Sequence, residues 1–343
     1  MTIQENDTQA KVVRQEPWFF GKNLADIRNF DEAIEASGLT WEAVTAPVKY
    51  DWNGETFEMP KTNVVIRNDN GYALGTGSLK YYPYQNASMW EFIRRVYGQM
   101  DKRQARIETA GSLDGGSRVW VLVRNGFYEP VKNDRINKYF LFVNAFDGSM
   151  AIKTLFTDIR VVCRNTLARA IAMAEKMAEK GLQTMYSVKH TRNADLYLEE
   201  AAEMLGLRAA YDENAAELMT NMAQRAMTEK QMRSFLDELY PIRTVEVEDA
   251  EERISISSIL KDKKVNRIME LVEVGAGADI PGVRGTEYGL YNAITEYADH
   301  EKLSIRAKGA NEEETRFKSV FWGSAQQMKQ DALDAFMRRA QAN

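Results

Sequence analysis

The chain has 343 residues, of which 44% are hydrophobic and 28% are charged, and its formal net charge is −5. This composition is typical of a globular protein, and the length allows one large domain or two. No stretch reaches the roughly 20 apolar residues of a transmembrane helix. Because the first residues are polar and acidic, we expect neither a signal peptide nor a membrane anchor. The single cysteine excludes an internal disulfide framework and predicts a reducing, cytoplasmic environment.

Residues 1–43 are predicted to form an irregular, partly helical N-terminal arm. Strand-like segments follow, namely VTAPVKYDW and TNVVIRN, and the sequence NDNG at 68–71 predicts a hairpin turn before YALGTGS. The apolar spacing in NASMWEFIRRVYGQMDKR predicts a helix over 86–103.

Three further strands are predicted over 118–124, 136–144 and 150–163, after the segment ARIETAGSL and the turn DGGS. Asp147 and Gly148 predict the hairpin turn before the last of them. Asn165 or Thr166 can cap a helix that runs to Gly181. The pattern is therefore an antiparallel meander that enters a helix directly, a β-β-β-α core.

The remaining sequence is mostly helical. Helical periodicity dominates 191–240, resumes at 257–273 and 286–301, and returns at 324–341, with a glycine-rich loop at 274–285. We therefore predict an α+β fold: a basic α+β domain at 44–190 carries the antiparallel β-meander with helices, and a mostly helical C-terminal region at 191–343 packs on it.

Charge is distributed unevenly along the chain. Residues 61–190 hold 20 Lys and Arg against 11 Asp and Glu, whereas residues 191–259 hold 7 against 15. The basic segment also contains 16 of the 35 aromatic residues. Positive charge with aromatic rings is what single-stranded nucleic acid requires, for its phosphates and its unstacked bases. The alternative is a basic sheet that packs against the acidic flanks of its own chain.

Motifs for catalysis are largely missing from the sequence. There is no P-loop, and the small residues of GTGS and the loop GAGADIPG are better explained as tight turns or close packing. Cys163 lies in a strand-like alternation that favours a buried structural role. One cysteine and two histidines cannot supply a zinc site of the Cys/His type. The sequence therefore favours a non-enzymatic protein with no cofactor and no metal.

Two further observations keep alternatives open. Glu108, Asp114, Asp147 and Asp158 lie at or near strand ends, as the carboxylates of a two-metal nuclease would, although two of them occupy Asp-Gly turns. Many of the 16 methionines fall between 169 and 237 at helical spacing. Core packing is their ordinary role, and a pliable surface for a protein partner is the alternative.

The candidate nucleic-acid site combines cations for phosphates with rings for bases. Helix N-terminal amides at Asn165 and Thr166, next to Arg164, could cradle a phosphate. Other basic residues on the strands and loops are Arg118, Arg124, Lys132, Arg135 and Lys138. The predicted site residues are Arg94, Arg95, Lys102, Arg103, Arg106, Arg160, Arg164, Asn165, Tyr81, Tyr82 and Trp90.

Four segments resemble a phage and plasmid-like family catalogued as domain of unknown function 932. They are ARIETAGSLDGGSRVWVLVR, FDGSMAIKTLFTDIRVVCRNTLARAI, GTEYGLYNAITEYADHE and SVFWGSAQQMKQDAL. The resemblance spans residues 70 to 335 and implies a mobile genetic element and the cytoplasm of a bacterial host. The meander followed by a helix also resembles the core of single-strand annealing recombination proteins, which work without catalytic residues.

We therefore expect a DNA-metabolism protein that binds single-stranded DNA and anneals complementary strands as a homo-oligomer. One alternative is an accessory protein that binds a host or defence protein through the acidic, Met-rich helices of 191–259. A carboxylate-metal nuclease is the other alternative.

Overall fold

The structure is a computed structural model that describes residues 21–101, 103–160, 165–167, 185–204, 208–241, 250–301, 315, 319 and 323–342. Antiparallel sheets occupy the N-terminal half, and helices dominate the C-terminal half. The predicted α+β class is therefore confirmed. None of the described helices is both long enough and apolar enough to cross a membrane.

The larger sheet has the strand order β1-β5-β6-β7-β8-β10, and β9 pairs with β8 beside β10. All of its pairings are antiparallel. Its strands are β1 (Lys22–Asn23), β5 (Ala105–Leu113), β6 (Arg118–Tyr128), β7 (Ile136–Ala145), β8 (Ile152–Arg160), β9 (Asn165–Leu167) and β10 (Met185–Val188). The predicted meander of three consecutive strands corresponds to β6, β7 and β8.

The smaller sheet contains β2 (Ala43–Trp52), β3 (Glu55–Arg67) and β4 (Ala73–Ser78) in that order. The predicted NDNG turn joins β3 to β4, and Gly71 there adopts a φ of 73°. A second hairpin turn, Asn53-Gly54, joins β2 to β3, with both residues at positive φ. The outer half of β2 and β3 pairs only with itself, because β4 pairs with β3 no farther than Thr62.

The helices pack on both faces of the larger sheet. They are α1 (Phe30–Ser37), α2 (Asn86–Gly98), α3 (Ala194–Met204), α4 (Arg208–Gln224), α5 (Glu229–Leu239), α6 (Ala250–Val274), α7 (Glu287–Glu296) and α8 (Ser324–Ala342). A π-helical turn, Tyr297–Glu301, extends α7. The predicted helix over 86–103 is shorter than expected, because it ends at Gly98.

Side-chain alternation along the central strands produces two hydrophobic cores. Val121 and Phe142 point to the face that packs against α1, α2 and α3. Trp120 and Leu141 point to the opposite face, where α5, α6, α7 and α8 pack. Both faces of the sheet are thus covered, which explains why its strands are apolar throughout. Met219, Met222, Met227 and Met232 belong to the second core and are buried.

The predicted start of a helix at Asn165 or Thr166 is wrong. Residues 165–167 form β9, which pairs with Asp158–Arg160 of β8. The free edge of β8 offers backbone partners at this point, and the ladder hydrogen bonds replace the first turn of a helix. Cys163 and the predicted helix body over 168–181 lie outside the described residues.

Close packing accounts for the glycines of GTGS. A Cβ atom on Gly75 would lie 2.5 Å from the Asp147 Cα atom, and a Cβ atom on Gly77 would lie 2.9 Å from the Tyr81 Cβ atom. Either contact is too short to tolerate, so a side chain at Gly75 would force β4 away from Asp147, and a side chain at Gly77 would displace Tyr81. These glycines therefore have the packing role that the sequence favours.

Candidate functional site

Three of the arginines predicted to contact phosphates, which lie on and after α2, form ion pairs with nearby acidic side chains. Arg94 pairs with Asp31 and lies over the Phe30 ring. Arg95 lies 2.5 Å from Glu199. Arg103 is highly exposed and lies 3.2 Å from Asp101. Each of these cations therefore has a carboxylate partner of its own on the protein surface.

The predicted aromatic residues differ in their exposure. Trp90 is buried, and its indole N–H donates to the Leu39 carbonyl at 3.2 Å. Tyr81 is half-buried against His190 and donates to the Ala145 carbonyl at 3.0 Å. Tyr82 is exposed. In this structure, only Tyr82 of the three offers a free ring face.

The predicted residues near the end of β8 are only partly described. Lys102 and Arg164 lie outside the described residues. The backbones of Arg160 and Asn165 pair with each other, but their side chains are not described. Arg106, in contrast, lies on β5 in a group of polar side chains that crosses three strands.

Two β-bulges create this group at one end of the meander, which we call the bulged end. The β5–β6 register shifts between Ile107 and Thr109, so that Glu108 occupies a bulge. The β6–β7 register shifts between Arg124 and Phe127. Gly126 lies within the second bulge with a φ of 99°. Bulges redirect side chains and often lie next to binding sites.

A continuous chain of contacts joins the two bulges. The Arg135 guanidinium lies 3.9 Å above the Phe127 ring centroid, and its Nε–H donates to Asn137 Oδ1 at 2.9 Å. Asn137 Nδ2 donates to the Tyr139 hydroxyl at 3.3 Å. That hydroxyl donates to Glu108 Oε1 at 3.5 Å. We refer to Arg106, Glu108, Arg124, Phe127, Arg135, Asn137 and Tyr139 as the polar chain.

Glu108 is the one carboxylate within the polar chain, and a second carboxylate, Asp26, lies near it. The Glu108 Oε2 atom lies 3.8 Å from Arg124 Nε, too far for a hydrogen bond. Burial raises the pKa of the Glu108 carboxyl, and the negative charge of Asp26 also raises it, while the positive charges of Arg106 and Arg135 act to lower that pKa. Arg106 Nε is buried and has no hydrogen-bond partner among the described residues. Within the described part of the chain, Arg106 is therefore incompletely satisfied.

The polar chain runs from the interior to the surface. Tyr139 is buried, and burial together with Glu108 raises the pKa of its hydroxyl. At the other end, the Phe127 side chain is 44% exposed although it lies within β6, whose side chains are mostly buried. An exposed ring with a guanidinium stacked on it provides a flat surface beside positive charge. Such a pair suits an unstacked base next to its phosphate.

The opposite end of the meander, which we call the turn end, has the reverse arrangement of charge. Arg118 lies 3.4 Å from Asp147 and 4.0 Å from Asp114, the two aspartates of the predicted turns. Nearby, His190 Nε2 lies 2.7 Å from Asn144 Oδ1. Burial lowers the pKa of His190 to about 4, with a small opposing effect from Asp147.

The carboxylates considered for a nuclease do not converge in the described structure. Asp114 and Asp147 face Arg118, whereas Asp158 is buried and accepts a hydrogen bond from Tyr128 at 2.9 Å. Glu108 lies at the bulged end. Among the residues that the structure describes, no group of three or more His, Cys, Asp or Glu side chains could hold a metal ion.

A comparison with protein families identifies one match. The model of the family described as Domain of unknown function (DUF932) matches residues 73–321, more than half of the chain. The chain belongs to this family. No curated protein and no solved structure matches it. The polar chain lies inside the residues shared with the family, and the hairpin of β2 and β3 precedes them.

Of the polar chain, only Arg106 is among the candidate site residues predicted from the sequence, and Arg124, Arg135 and Phe127 are not. In the sequence, Arg124 and Arg135 are two of many basic residues on the strands and loops, and nothing in their residue type distinguishes them from the others. The missing signal was Asn125-Gly126, because a glycine inside a strand pattern indicates a bulge. That bulge changes the register, and the register determines which side chains meet.

Proposed function

We propose that this protein binds single-stranded nucleic acid at the bulged end of its meander. Arg106, Arg124 and Arg135 contact phosphates there, and Phe127 stacks on a base. The observation that carries the proposal is the unequal charge at the polar chain, where three arginines lie around Glu108 and the nearby Asp26, three positive charges against two negative ones. An incoming phosphate supplies the negative charge that these arginines lack.

The charge balance separates this site from the arginines of α2. Arg94 and Arg95 each have a carboxylate in contact, so a phosphate would have to displace it. At the polar chain the one ion pair that Glu108 makes with a described residue is loose, at 3.8 Å. A phosphate therefore displaces less at the bulged end, which supports binding there.

The stacked pair of Phe127 and Arg135 distinguishes nucleic acid from a simple anion. Free phosphate would use the guanidinium groups only, whereas a nucleotide also offers a base for the exposed ring. An aromatic face accepts any base, so we expect little sequence preference. Annealing of complementary strands by a homo-oligomer is the finer form of this proposal, as is a role in DNA metabolism of a mobile genetic element.

The proposal predicts two distinct effects on binding. Replacing Arg135 by Ala removes one phosphate contact and reduces the slope of log affinity against log salt by about 0.7 for a single strand. Replacing Phe127 by Ala weakens binding by about 1–3 kcal/mol without changing that slope, because stacking releases no counterion. Fluorescence anisotropy of a labelled single-stranded oligonucleotide, titrated at several salt concentrations, measures both effects.

Matched variants make the test specific. Arg135→Lys keeps the charge and retains the slope. Arg233→Ala removes an exposed arginine that pairs with Glu229 on α5 and leaves binding unchanged. Circular dichroism checks that every variant is folded. Wild-type protein that binds no oligonucleotide at low salt would refute the proposal, as would a folded Arg135→Ala variant with an unchanged affinity and slope.

A further inference from the structure

The outer half of the β2–β3 hairpin, residues 47–61, is a two-stranded ribbon with one apolar face. Its cross-strand pairs include Tyr50 with Phe57 and Trp52 with Glu55. Side chains two positions apart share a face of a strand, so Tyr50, Trp52 and Phe57 lie on the same side. Lys49, Asp51 and their partners Glu58 and Thr56 lie on the other side. We call residues 47–61 the ribbon.

The apolar face of the ribbon is open to solvent. The exposed fractions are 65% for Trp52, 50% for Tyr50, 45% for Met59 and 39% for Phe57. Tyr50 and Phe57 stack on each other with their ring centroids 5.8 Å apart. A two-stranded ribbon is only marginally stable in water. Four exposed apolar side chains on such a ribbon therefore indicate a surface that another molecule covers.

The charge of the ribbon favours a partner other than a nucleic-acid strand. Residues 47–61 contain two lysines against three acidic residues. Asp51 and Glu55 lie beside the turn at the tip, while Lys61 lies at the base. Phosphates would be repelled by this tip. A complementary surface must therefore be apolar and basic.

Such a surface occurs on the same chain. Three short segments form this surface, namely residues 79–82, 189–192 and 194–197. The Tyr81 ring contacts the His190 ring, and Tyr84 forms a hydrogen bond with Asp195, so the segments lie next to one another. The surface exposes four large apolar side chains: Leu79, Tyr82, Leu196 and Tyr197. Lys80, Lys189 and Arg192 are exposed beside them, against a single acid, Asp195. We call this surface the base patch.

The base patch lies at the root of the ribbon. Ser78, the last residue of β4, pairs with Thr62 of β3, so that Leu79 and Lys80 follow where the ribbon begins. The tip at Asn53 and Gly54 is about 25 Å farther along the strand, at roughly 3.3 Å per residue. A paired ribbon cannot bend back over that distance to its own root. Contact between the tip and a base patch therefore requires a second copy of the chain.

We propose that the ribbon of one copy binds the base patch of a second copy, and that the exchange is reciprocal. Two ribbons placed antiparallel bring each acidic tip to the basic root of the other, and the apolar side chains meet between them. Because the same surfaces are used on both copies, the association closes as a two-fold dimer. This inference does not rest on nucleic-acid binding.

A charge exchange tests the arrangement. Glu55→Lys at the tip and Lys80→Glu at the base patch each place like charges in both contacts of a homodimer, and each weakens dimerisation by at least about tenfold. An equimolar mixture of these two variants restores opposite charges in both contacts, so it forms a heterodimer of wild-type strength. Sedimentation velocity over a concentration series, without nucleic acid, measures both results.

Two further variants complete the design. Trp52→Ser removes the largest exposed side chain of the ribbon and weakens the dimer. Lys230→Glu reverses an exposed charge on α5 and leaves the dimer unchanged. Wild-type protein that stays monomeric at its highest soluble concentration would overturn the proposal. A mixture of folded Glu55→Lys and Lys80→Glu proteins that remains monomeric would also overturn it.

Discussion

The two ends of the meander use the same residue types in opposite proportions. At the turn end, Arg118 lies between Asp114 and Asp147, and it also donates hydrogen bonds to the Ser149 hydroxyl. At the bulged end, Arg106, Arg124 and Arg135 act on the carboxylate of Glu108, which the charge of Asp26 also reaches. One arginine therefore faces two acids at the first end, whereas three arginines face two acids at the second.

This difference shows that the number of cations in a segment does not locate an anion site. Arg118 belongs to the same basic segment as Arg135 and lies on a neighbouring strand, but acids of the adjacent turns already surround it. Capacity for an external anion depends on the charge that remains after internal pairing. That balance is positive at the bulged end, and the contacts that create it come from residues far apart in sequence.

A substitution at the turn end should reduce the stability of the protein and leave oligonucleotide binding unchanged. We expect Arg118→Met to destabilise the protein by about 2 kcal/mol, because the partly buried Asp147 then loses the charge-assisted hydrogen bond from Arg118. Urea unfolding measures the loss. Oligonucleotide affinity of the folded variant should remain at the wild-type level. A stable Arg118→Met protein with weakened binding would reverse the roles assigned to the two ends.

His190 should make the turn end sensitive to acid. Its pKa is about 4 in the folded protein and near 6.5 in an unfolded chain, so the unfolded state binds the proton first. Stability is therefore fully present above pH 6.5 and falls as the pH drops towards 4. We expect the loss to be about 2 kcal/mol, given the partial burial of the ring. Unfolding free energies of wild type and His190→Gln at pH 7 and pH 4.5 measure it.

His190→Gln supplies its own control. Glutamine retains a group that can donate to Asn144 but has no titration in this range, so the variant should lose less stability between pH 7 and pH 4.5 than the wild type does. Equal losses in the two proteins would show that another group titrates.

Local sequence signals predicted most of the fold. The NDNG turn, the Asp147-Gly148 turn, the meander and the helix at 324–341 all depend on short-range patterns of turn residues and periodicity. The predicted helix start at Asn165 is wrong because residues 165–167 pair with the edge of β8, although asparagine is a favourable N-cap residue. The dipeptide Asn53-Gly54 is an equally strong hairpin signal in the sequence, and it would identify the ribbon.

The site was less predictable because it depends on register. Trp90 follows three tyrosines and precedes two arginines, which favoured a stacking role, but the helical period directs it into the core. The residues of the polar chain are spread over 106–139 and meet only through two bulges. No local pattern specifies which strand positions face one another after a bulge.

Replacing Glu108 should have the smallest of the expected effects, a change in oligonucleotide affinity at the bulged end. Its carboxylate occupies the arginines that a phosphate would use, so Glu108→Gln should strengthen oligonucleotide binding roughly threefold. Burial raises the pKa of Glu108, so protonation begins above the ordinary range of a glutamate. As the pH falls through that raised value, the negative charge is lost, and wild-type affinity should increase towards that of the variant.

The comparison of wild type with Glu108→Gln across this pH range decides the role of the carboxylate. The variant has no carboxyl group to titrate at the polar chain, so its affinity should depend less on pH, and the two curves should converge at the acidic end. Anisotropy titrations at constant ionic strength measure this, because a change in salt would shift both curves alike. If Glu108→Gln instead weakens binding at every pH, the carboxylate orients the arginines and does not compete with the phosphate. The bulged end would then still bind the phosphate, and Glu108 would act as the residue that positions its arginines.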